Sequence, residues 1–304
     1  MILVTGAGGK TGRAVISALA KKKQLVRALV HREEQVHRVE SSGATEVQVG
    51  DMGSSDTLER ALDGAESVYH ICPNVHQDEF QVGKSIVASA VSAKVGHFVF
   101  HSVLHPQIES MPHHWMKMRV EELLLGSGLR FAILQPAPYM QNLQGQLSDI
   151  VERGIYSVPY SANAPMSLVD LEDVGEAAAN VLTNPAHVGA SYELAGPEIL
   201  TPNQMAEILS RHLNRVVHVA QISLETWRHQ AETARLGGYQ IETLEKMFAY
   251  YNRNGLWGNP LTLKTLLGRQ PTSFSEYVER TIQGGLSRTK PVGVTHPHPS
   301  RSPD

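Results

Sequence analysis

Three glycines near the start of the 304-residue chain are spaced so that their backbone could hold a phosphate group. Gly6, Gly9 and Gly12 occupy every third position of a segment that follows a short apolar run and precedes a helical pattern. Glycines allow a sharp turn and let a pyrophosphate approach the N–H groups at the positive end of a helix. A purely structural turn is the alternative, but the place after the first strand favours a dinucleotide site. The residues expected to form it are Gly6, Gly8, Gly9, Lys10, Thr11 and Gly12.

The residues after the second predicted strand indicate which dinucleotide binds. NAD sites usually carry a carboxylate there, which accepts a hydrogen bond from the ribose 2′-hydroxyl. Here His31 and Arg32 follow the strand, and Lys10 adds a further cation. A guanidinium suits the 2′-phosphate of NADP through charge-assisted hydrogen bonds. The sequence therefore predicts NADP, with NAD as the alternative, since Arg32 could instead be a solvated residue whose charge Glu33 tempers.

Three more strand ends are expected to contact the same ligand. Asp51 and Met52 follow the third strand, where a carboxylate could meet the adenine amino group, although Asp51 could equally cap the next helix. Cys72 and Pro73 follow the fourth strand, and Pro136 belongs to the loop after the sixth. Ligands of open α/β folds bind at the carboxyl ends of the strands. We expect Cys72 to pack against the cofactor rather than to react.

Alternating strands and helices must position these segments through about the first 140 residues. Short, nearly unbroken apolar runs are typical of parallel strands covered on both faces. Strands are predicted over residues 2–4, 25–30, 45–49, 67–71, 98–100 and 131–134, and helices over 13–23, 34–41, 55–62, 79–93 and 118–125. The pattern predicts an α/β fold with a doubly wound parallel sheet, a Rossmann domain.

The pattern changes after residue 142. Helices are predicted over residues 174–182 and 201–213, with Thr201 as N-cap and Pro202 at the first helical position, and a strand over 191–194. We expect a Rossmann domain over residues 1–150 and a smaller, mostly helical substrate lobe over 151–283 that shares part of the sheet. Residues 284–304 hold too few apolar side chains to offset their ordering entropy, which predicts a disordered tail.

Composition limits the class of protein. Lys plus Arg number 27 and Asp plus Glu number 30, so no basic excess suggests nucleic acid or an anionic membrane surface. The single cysteine excludes an intrachain disulfide, and the histidines lack metal-ligand spacing, so we expect no metal. No apolar stretch suits a membrane span, and the first residues lack the pattern of a secretory signal. We expect a cytoplasmic protein that acts on a small molecule.

The order of several motifs resembles the NmrA-like family of atypical short-chain dehydrogenase/reductases. The motifs are the glycine turn, Gly50-Asp51, Lys117, Glu121, Ser127-Gly128-Leu129, Pro136, Asn142, residues 168–177 and residues 192–197. The resemblance covers residues 1–215 well and 216–283 poorly. It implies a Rossmann domain that binds NADP(H) or NAD(H), with a cleft beside a C-terminal lobe. Some members reduce quinones, dyes or plant phenolics, whereas others act as redox-sensing regulators through protein partners.

The resemblance also implies three catalytic positions, with one departure. In typical members of the superfamily a tyrosine donates a proton, and a lysine four residues later lowers its pKa. Here the matching residues are His113 and Lys117, and Ser102 stands at the position of the family's catalytic Ser or Thr. A histidine with a pKa near the usual ~6.5 could donate a proton at neutral pH. Lys117 could contact the nicotinamide ribose and bias His113 by its charge.

An apolar wall for a flat substrate is predicted next to the nicotinamide. The loop after the sixth strand supplies Tyr139, Met140 and Asn142, and Trp115 lies close to Lys117 in the sequence. Side chains of these types more often serve only as core.

Two functions stay open. The first is an NADPH-dependent reductase that transfers hydride to a small planar electrophile such as a quinone, an enone or an imine, for which a dedicated acid matters less. The second is an NADP(H)-binding regulator that senses redox state through protein partners without turnover. The first is favoured because Ser102 and Lys117 keep the family's residue types.

Overall fold

Parallel strands form the central sheet of the computed structural model, which describes residues 1–286. The strands are β1 (Ile2–Val4), β2 (Val26–Val30), β3 (Glu46–Val49), β4 (Ser67–His70), β5 (His97–His101), β6 (Phe131–Pro136), β7 (Ile155–Val158), β8 (Met166–Ser167), β9 (Ser191–Leu194), β10 (Ile199–Leu200) and β11 (His218–Gln221). Seven of them pair in the order β3-β2-β1-β4-β5-β6-β9, all parallel. The order reverses between β1 and β4, which is where open α/β sheets bind ligands. The predicted Rossmann fold is confirmed.

Helices cover both faces of this sheet. They are α1 (Lys10–Lys21), α2 (Val36–Glu40), α3 (Ser55–Leu62), α4 (Glu79–Ser92), α5 (Pro112–Leu125), α6 (Leu171–Leu182), α7 (Pro202–Leu213), α8 (Leu224–Thr233), α9 (Gly238–Asn254), α10 (Leu261–Leu267) and α11 (Phe274–Leu286). Successive strand side chains point to opposite faces, so one face buries Val4 and Tyr69 and the other buries Leu3 and Phe98. Each large apolar side chain buried in this way contributes about 1.5–3 kcal/mol.

Residues beyond 150 contribute to the same layers. Helix α6 packs closely on α1, because Gly175 has no Cβ and one built there would lie 2.7 Å from the Ala14 carbonyl oxygen. Strand β9 extends the central sheet beside β6. The remaining short strands pair outside the sheet, β11 with β7 and β10 with β8. The C-terminal part therefore both completes the sheet and builds a mostly helical lobe, while the boundary at residue 150 stays a prediction.

Several helix limits differ from the sequence prediction, since α1 and α6 each begin three residues earlier than predicted, at Lys10 and Leu171. Helix α5 begins at Pro112, six residues earlier than predicted, because a proline fits the first helical position while the polar and aromatic residues after it hide the helical period. Helix α11 reaches Leu286, so the first residues of the predicted tail are helical, since a last turn is held by backbone bonds to the turn before it. The rest of that tail, residues 287–304, lies outside the described residues. The predicted cap at Thr201 is confirmed, with its hydroxyl accepting from Gln204 N–H.

Candidate cofactor and substrate site

The carboxyl ends of the central strands open into one large cleft. Its volume is about 1510 Å³. All the predicted cofactor residues line it: Gly6, Gly8, Gly9, Lys10, Thr11, Gly12, His31, Arg32, Asp51, Met52, Cys72, Pro73, Lys117 and Pro136. Ser102, His113, Tyr139, Met140 and Asn142 line it as well. Residues separated by more than a hundred positions meet there because parallel strands end at the same edge of the sheet.

The glycine turn combines two different uses of glycine. Gly6 has φ +57°, and a Cβ on Gly12 would lie 2.6 Å from the Gly6 carbonyl oxygen, so both are required by the backbone itself. Gly9 is exposed, and a Cβ there would meet only that same oxygen at 3.3 Å. Gly9 is also the N-cap of α1, which has no side-chain cap and no acidic residue in its first turn. The free N–H groups at this helix end fit a phosphate ligand.

The loop after β2 is held against the glycine turn by Gln35, which sequence reasoning missed. Its Oε1 accepts hydrogen bonds from the backbone N–H groups of His31 and Arg32, both at 3.1 Å. Its amide packs on Gly8, where an added Cβ would lie 2.5 Å from Nε2. Arg32 is exposed at the cleft and forms no ion pair with any residue that the structure describes. Gln35 thus fixes the backbone that presents this cation.

Asp51 does not cap the helix that follows it. The N-cap of α3 is Ser54, whose hydroxyl accepts from the N–H of Thr57 at 3.5 Å, so the capping alternative is wrong. One carboxylate oxygen of Asp51 accepts from the N–H of Gly53 at 2.9 Å. The side chain is exposed at the cleft, where it can also accept a hydrogen bond from a ligand.

Cys72 lies buried in the cleft wall. Burial raises the pKa of its thiol to about 12, with Glu79 adding to the shift. The group is therefore a neutral thiol at neutral pH and a poor nucleophile. This environment agrees with a packing role for Cys72.

Lys117 is paired with a buried carboxylate that the sequence did not reveal. Its ammonium group donates to Glu79, the first residue of α4, and lies 3.5 Å from the His101 carbonyl oxygen. The side chain of Glu79 is only 1% exposed, and that of Lys117 is 12% exposed. In sequence Glu79 looks like an ordinary first-turn acid. Lys117 thus reaches the cleft with part of its hydrogen-bonding capacity already used.

Ser102 is bound to a carboxylate behind the cleft wall. Its hydroxyl donates to Glu121, and the Gln135 amide donates to both oxygens of the same carboxylate at 3.0 Å. Burial raises the pKa of Glu121, although the hydrogen bonds from Ser102 and Gln135 oppose the shift. The proton of the Ser102 hydroxyl therefore points into the protein rather than to a ligand.

His113 lies at the cleft but is not the acid that the sequence suggested. Burial, with the neighbouring His114 and Lys117 adding to the shift, lowers its pKa to about 2. The expected pKa near ~6.5 is wrong, because the sequence shows the residue type but not its desolvation. The imidazole is neutral at physiological pH, and its Nδ1 is buried without a hydrogen-bond partner.

Trp115 is a correction, because it does not line the cleft. It lies on α5 two residues after His113 and two before Lys117, and side chains at that spacing do not share a helix face. Since His113 and Lys117 face the cleft, Trp115 faces elsewhere.

Tyr139 reaches the cleft from the loop after β6 and contacts a histidine at the end of β5. Its hydroxyl lies 2.7 Å from His101 Nε2, and the Tyr69 hydroxyl lies 2.5 Å from Nδ1 of the same ring. Burial lowers the pKa of His101 to about 3. Sequence reasoning did not assign a role to His101 or Tyr69, since neither stands in a recognisable motif.

Aromatic side chains of the C-terminal lobe form part of the cleft lining, called here the aromatic wall. The Tyr160 and Phe248 rings stack at 6.0 Å, while Trp227 and Tyr251 meet this pair edge-on at 4.9 and 5.7 Å. All four line the cleft. Phe248 and Tyr251 lie one turn apart on α9, but Trp227 lies on α8 and Tyr160 follows β7, so no local spacing could have shown all four as a group. They form a surface for a flat apolar molecule.

The fold and this cleft define the class as a doubly wound parallel-sheet protein whose C-terminal lobe covers the carboxyl ends of the strands. The chain belongs to the NmrA-like family, whose model matches residues 1–278. None of the helices in the described part of the chain is long and apolar enough to cross a membrane. Within residues 1–286 no group of His, Cys, Asp and Glu side chains is arranged to hold a metal ion.

Similar proteins extend over nearly the whole chain. An NAD(P)H azoreductase of Xenophilus azovorans is 28% identical over 92% of this chain and 97% of its own. A (4-alkanoyl-5-oxo-2,5-dihydrofuran-3-yl)methyl phosphate reductase of Streptomyces griseus is 30% identical over 91% of this chain and 96% of its own. The crystal structure of an NADPH-dependent quinone oxidoreductase of Escherichia coli, complexed with NADPH, superposes with a TM-score of 0.82 at 24% identity, covering 93% of this chain and all of the other.

Proposed function

We propose that the protein is an NADPH-dependent reductase that transfers hydride to a small planar electrophile such as a quinone, an enone or an imine. The observation that carries the proposal is one continuous cleft of about 1510 Å³, which joins the glycine turn to the aromatic wall. Pockets for one small ligand typically occupy roughly 300–1,000 Å³. The larger volume suits a dinucleotide and a second molecule together, which hydride transfer requires. The two curated relatives reported above, both named as reductases, support the reaction type.

Residues of this chain suit the two ends of such a cofactor. The N–H groups at the start of α1 would hold the pyrophosphate, because Gly9 leaves them uncapped. Arg32, His31 and Lys10 would bind the 2′-phosphate, which supports NADPH over NADH. When bound, the nicotinamide supplies the hydride. Pro136 and Cys72 line the cleft near the nicotinamide end that the family resemblance predicts.

The acceptor is expected to lie against the aromatic wall. Offset stacking on Tyr160 and Phe248 favours a flat ring system, and each aromatic pair contributes about 0.5–1.5 kcal/mol beyond its buried area. The short bridge between Tyr139 and Val169 fixes the loop after β6, which forms another surface of the cleft. A planar electrophile would be held between the two surfaces.

A regulator that binds NADP(H) without turnover is the second candidate. The observation that favours it is the state of the family's catalytic positions: Ser102 donates to Glu121, Lys117 to Glu79, and His113 is neutral. A site that only holds the cofactor could accept this arrangement. Such a protein would act through a protein partner.

Oxidation of NADPH with a panel of quinones, enones, imines and azo compounds separates the two candidates. Turnover with any acceptor is expected. Phe248→Ala should raise KM about 10- to 100-fold, since it removes roughly 1.5–3 kcal/mol of apolar contact, while the Kd for NADPH stays unchanged. The matched control is Trp257→Ala, because Trp257 is exposed and outside the cleft. Tight NADPH binding with no oxidation by any acceptor would support the regulator instead.

A further inference from the structure

Tyr69, His101 and Tyr139 form a hydrogen-bonded chain that ends in the cleft. We propose that Tyr139 is the proton donor to the reduced acceptor, and that Tyr69 and His101 are positioning residues that keep its oxygen as a hydrogen-bond acceptor. The inference rests on the reductase function proposed above.

Two strands and a loop hold the three residues of this hydrogen-bonded chain in place. Tyr69 on β4 and His101 on β5 lie on neighbouring parallel strands, and Tyr69 is fully buried. The backbone of Tyr139 is held through its neighbours, because Val169 N–H donates to the Pro138 carbonyl at 2.9 Å and Met140 N–H donates to the Val169 carbonyl at 3.0 Å. The hydroxyl of Tyr139 therefore has little freedom to leave Nε2 of His101.

The burial of Tyr69 determines the tautomer of His101. Burial, with Lys117 and His70 nearby, lowers the pKa of His101 to about 3, so its neutral ring carries one proton. Among the described residues, the hydrogen-bond partner of the Tyr69 hydroxyl is Nδ1 of His101. If Nδ1 carried the proton, the Tyr69 hydroxyl would be a buried donor without an acceptor, which folded proteins avoid. The ring proton therefore lies on Nε2 and is donated to the oxygen of Tyr139.

Tyr139 consequently keeps its own proton for another group. Its oxygen accepts from His101, so its O–H is not used in that contact. Burial raises the pKa of Tyr139 to about 12, and the nearby Thr11 hydroxyl lowers it in part. The phenol is thus fully protonated at neutral pH. Since Tyr139 lines the cleft, a ligand there can receive this hydrogen bond.

The other polar groups at this end are less suited to donate. The Ser102 hydroxyl donates to Glu121, and the Lys117 ammonium donates to Glu79. His113 lacks the imidazolium form at neutral pH. The Tyr139 hydroxyl donates to no carboxylate or imidazole among the described residues, and its other polar neighbour is the Thr11 hydroxyl, which a ligand can replace as the acceptor.

The proposed step is a simple proton transfer. Hydride transfer adds two electrons and one hydrogen to the acceptor and leaves an enolate, an alkoxide or a nitrogen anion. The O–H bond of Tyr139 then breaks and a new bond forms between its proton and this anion. The phenolate that remains accepts the Nε2–H of His101, which stabilises the negative charge, and it regains a proton from water in the cleft.

Two conservative substitutions test the step, with a third as control. Tyr139→Phe should lower kcat by about 10²–10⁴-fold, the usual contribution of a general acid, and should abolish the solvent deuterium isotope effect on kcat. The Kd for NADPH should stay unchanged, as titration of binding would show. Tyr69→Phe should give a smaller loss without removing any cleft residue. Tyr192→Phe is the control, because its hydroxyl also binds a histidine, His187, but outside the cleft.

Nitrogen-15 NMR of histidine-labelled protein provides a readout that does not depend on activity. The His101 signals, assigned by their loss in His101→Gln, should show Nε2 protonated and Nδ1 bare. Tyr69→Phe should shift part of the population to the other tautomer. A protonated Nδ1 in the wild type, or an unchanged tautomer in Tyr69→Phe, would overturn the positioning roles.

The outcomes separate this inference from the proposed function. If none of the acceptors supports oxidation of NADPH by the wild type, the proposed reductase function is refuted, and the donor role of Tyr139 with it. If the wild type turns over but Tyr139→Phe keeps more than about a tenth of its kcat, below the range of a general acid, only the present inference fails. A tenfold or greater rise in the Kd for NADPH would assign the hydroxyl to the cofactor and overturn it too.

Discussion

Removal of the Lys117 charge should destabilise the protein strongly, because it isolates a buried carboxylate. In Lys117→Met the aliphatic stem is kept, but Glu79, 1% exposed, loses the ammonium group that it accepts from. The second oxygen of Glu79 is already buried without a partner. Breaking a buried ion pair from one side costs about 3–5 kcal/mol. At about 2 °C per kcal/mol for a chain of this size, Tm should fall by roughly 6–10 °C.

The assay is urea unfolding at pH 7, with a double-mutant cycle. Glu79→Gln removes the isolated charge, so the double variant Glu79→Gln with Lys117→Met should be more stable than Lys117→Met alone. The matched control is Arg153→Met, whose partner Asp149 lies on the surface, where both side chains are more than half exposed. That exposed pair should contribute less than about 1 kcal/mol.

The reasoning would be refuted in either of two ways. A loss below about 1 kcal/mol for Lys117→Met would place the pair in the range of surface salt bridges. A double variant no more stable than Lys117→Met would show that altered packing around the new side chain, rather than the unpaired carboxylate, causes the loss.

The remaining predictions concern the glycine turn, the cofactor phosphate and the histidines. Gly9→Val should abolish NADPH binding in a protein that still folds, whereas Gly12→Val should unfold the protein, since a Cβ at Gly12 meets backbone at 2.6 Å. Calorimetry measures the stability of each variant and titration measures its affinity for NADPH. Equal stabilities of the two variants would contradict this prediction. Arg32→Ala should weaken the binding of NADPH about ten- to a hundredfold and that of NADH only little, because a hydrogen bond to a charged group contributes roughly 1.5–3 kcal/mol. Equal losses of affinity for both dinucleotides would show that Arg32 does not discriminate between them. His113→Phe should leave the pH dependence of turnover between about 5.5 and 8.5 unchanged, because a group with a pKa of about 2 does not titrate there; a lost inflection would contradict this. In the unfolded chain the histidines bind protons below pH ~6.5, whereas the buried histidines of the folded protein stay neutral down to pKa values of about 2 to 4. The free energy of unfolding should therefore fall as pH falls, by up to about 1.4 kcal/mol per pH unit for each buried histidine. Denaturation at pH 7 and 5 measures this, and a flat profile would contradict the burial of His70, His101, His113 and His114.

Features that depend on near neighbours in the chain were readable from the sequence alone. The glycine turn lies between β1 and α1 as its spacing predicts, and the apolar runs form the parallel sheet. Thr201 caps α7, which begins at Pro202, since the capping hydroxyl and the Gln204 N–H that donates to it are three residues apart. Because strands of a parallel sheet share one carboxyl edge, the order of elements also predicts that their loops meet in one cleft.

Tertiary structure alone decided which groups at that cleft are able to react. Glu79 meets Lys117 across 38 positions, and Tyr69 meets His101 across 32, so no local pattern shows either pair. The neutral state of His113 follows from desolvation by neighbours on several elements, which a residue type cannot reveal. Helical rotation turns Trp115 away from the cleft although its neighbours line it. Spacing along the chain determines local geometry, whereas burial and long-range contacts determine protonation, pairing and access.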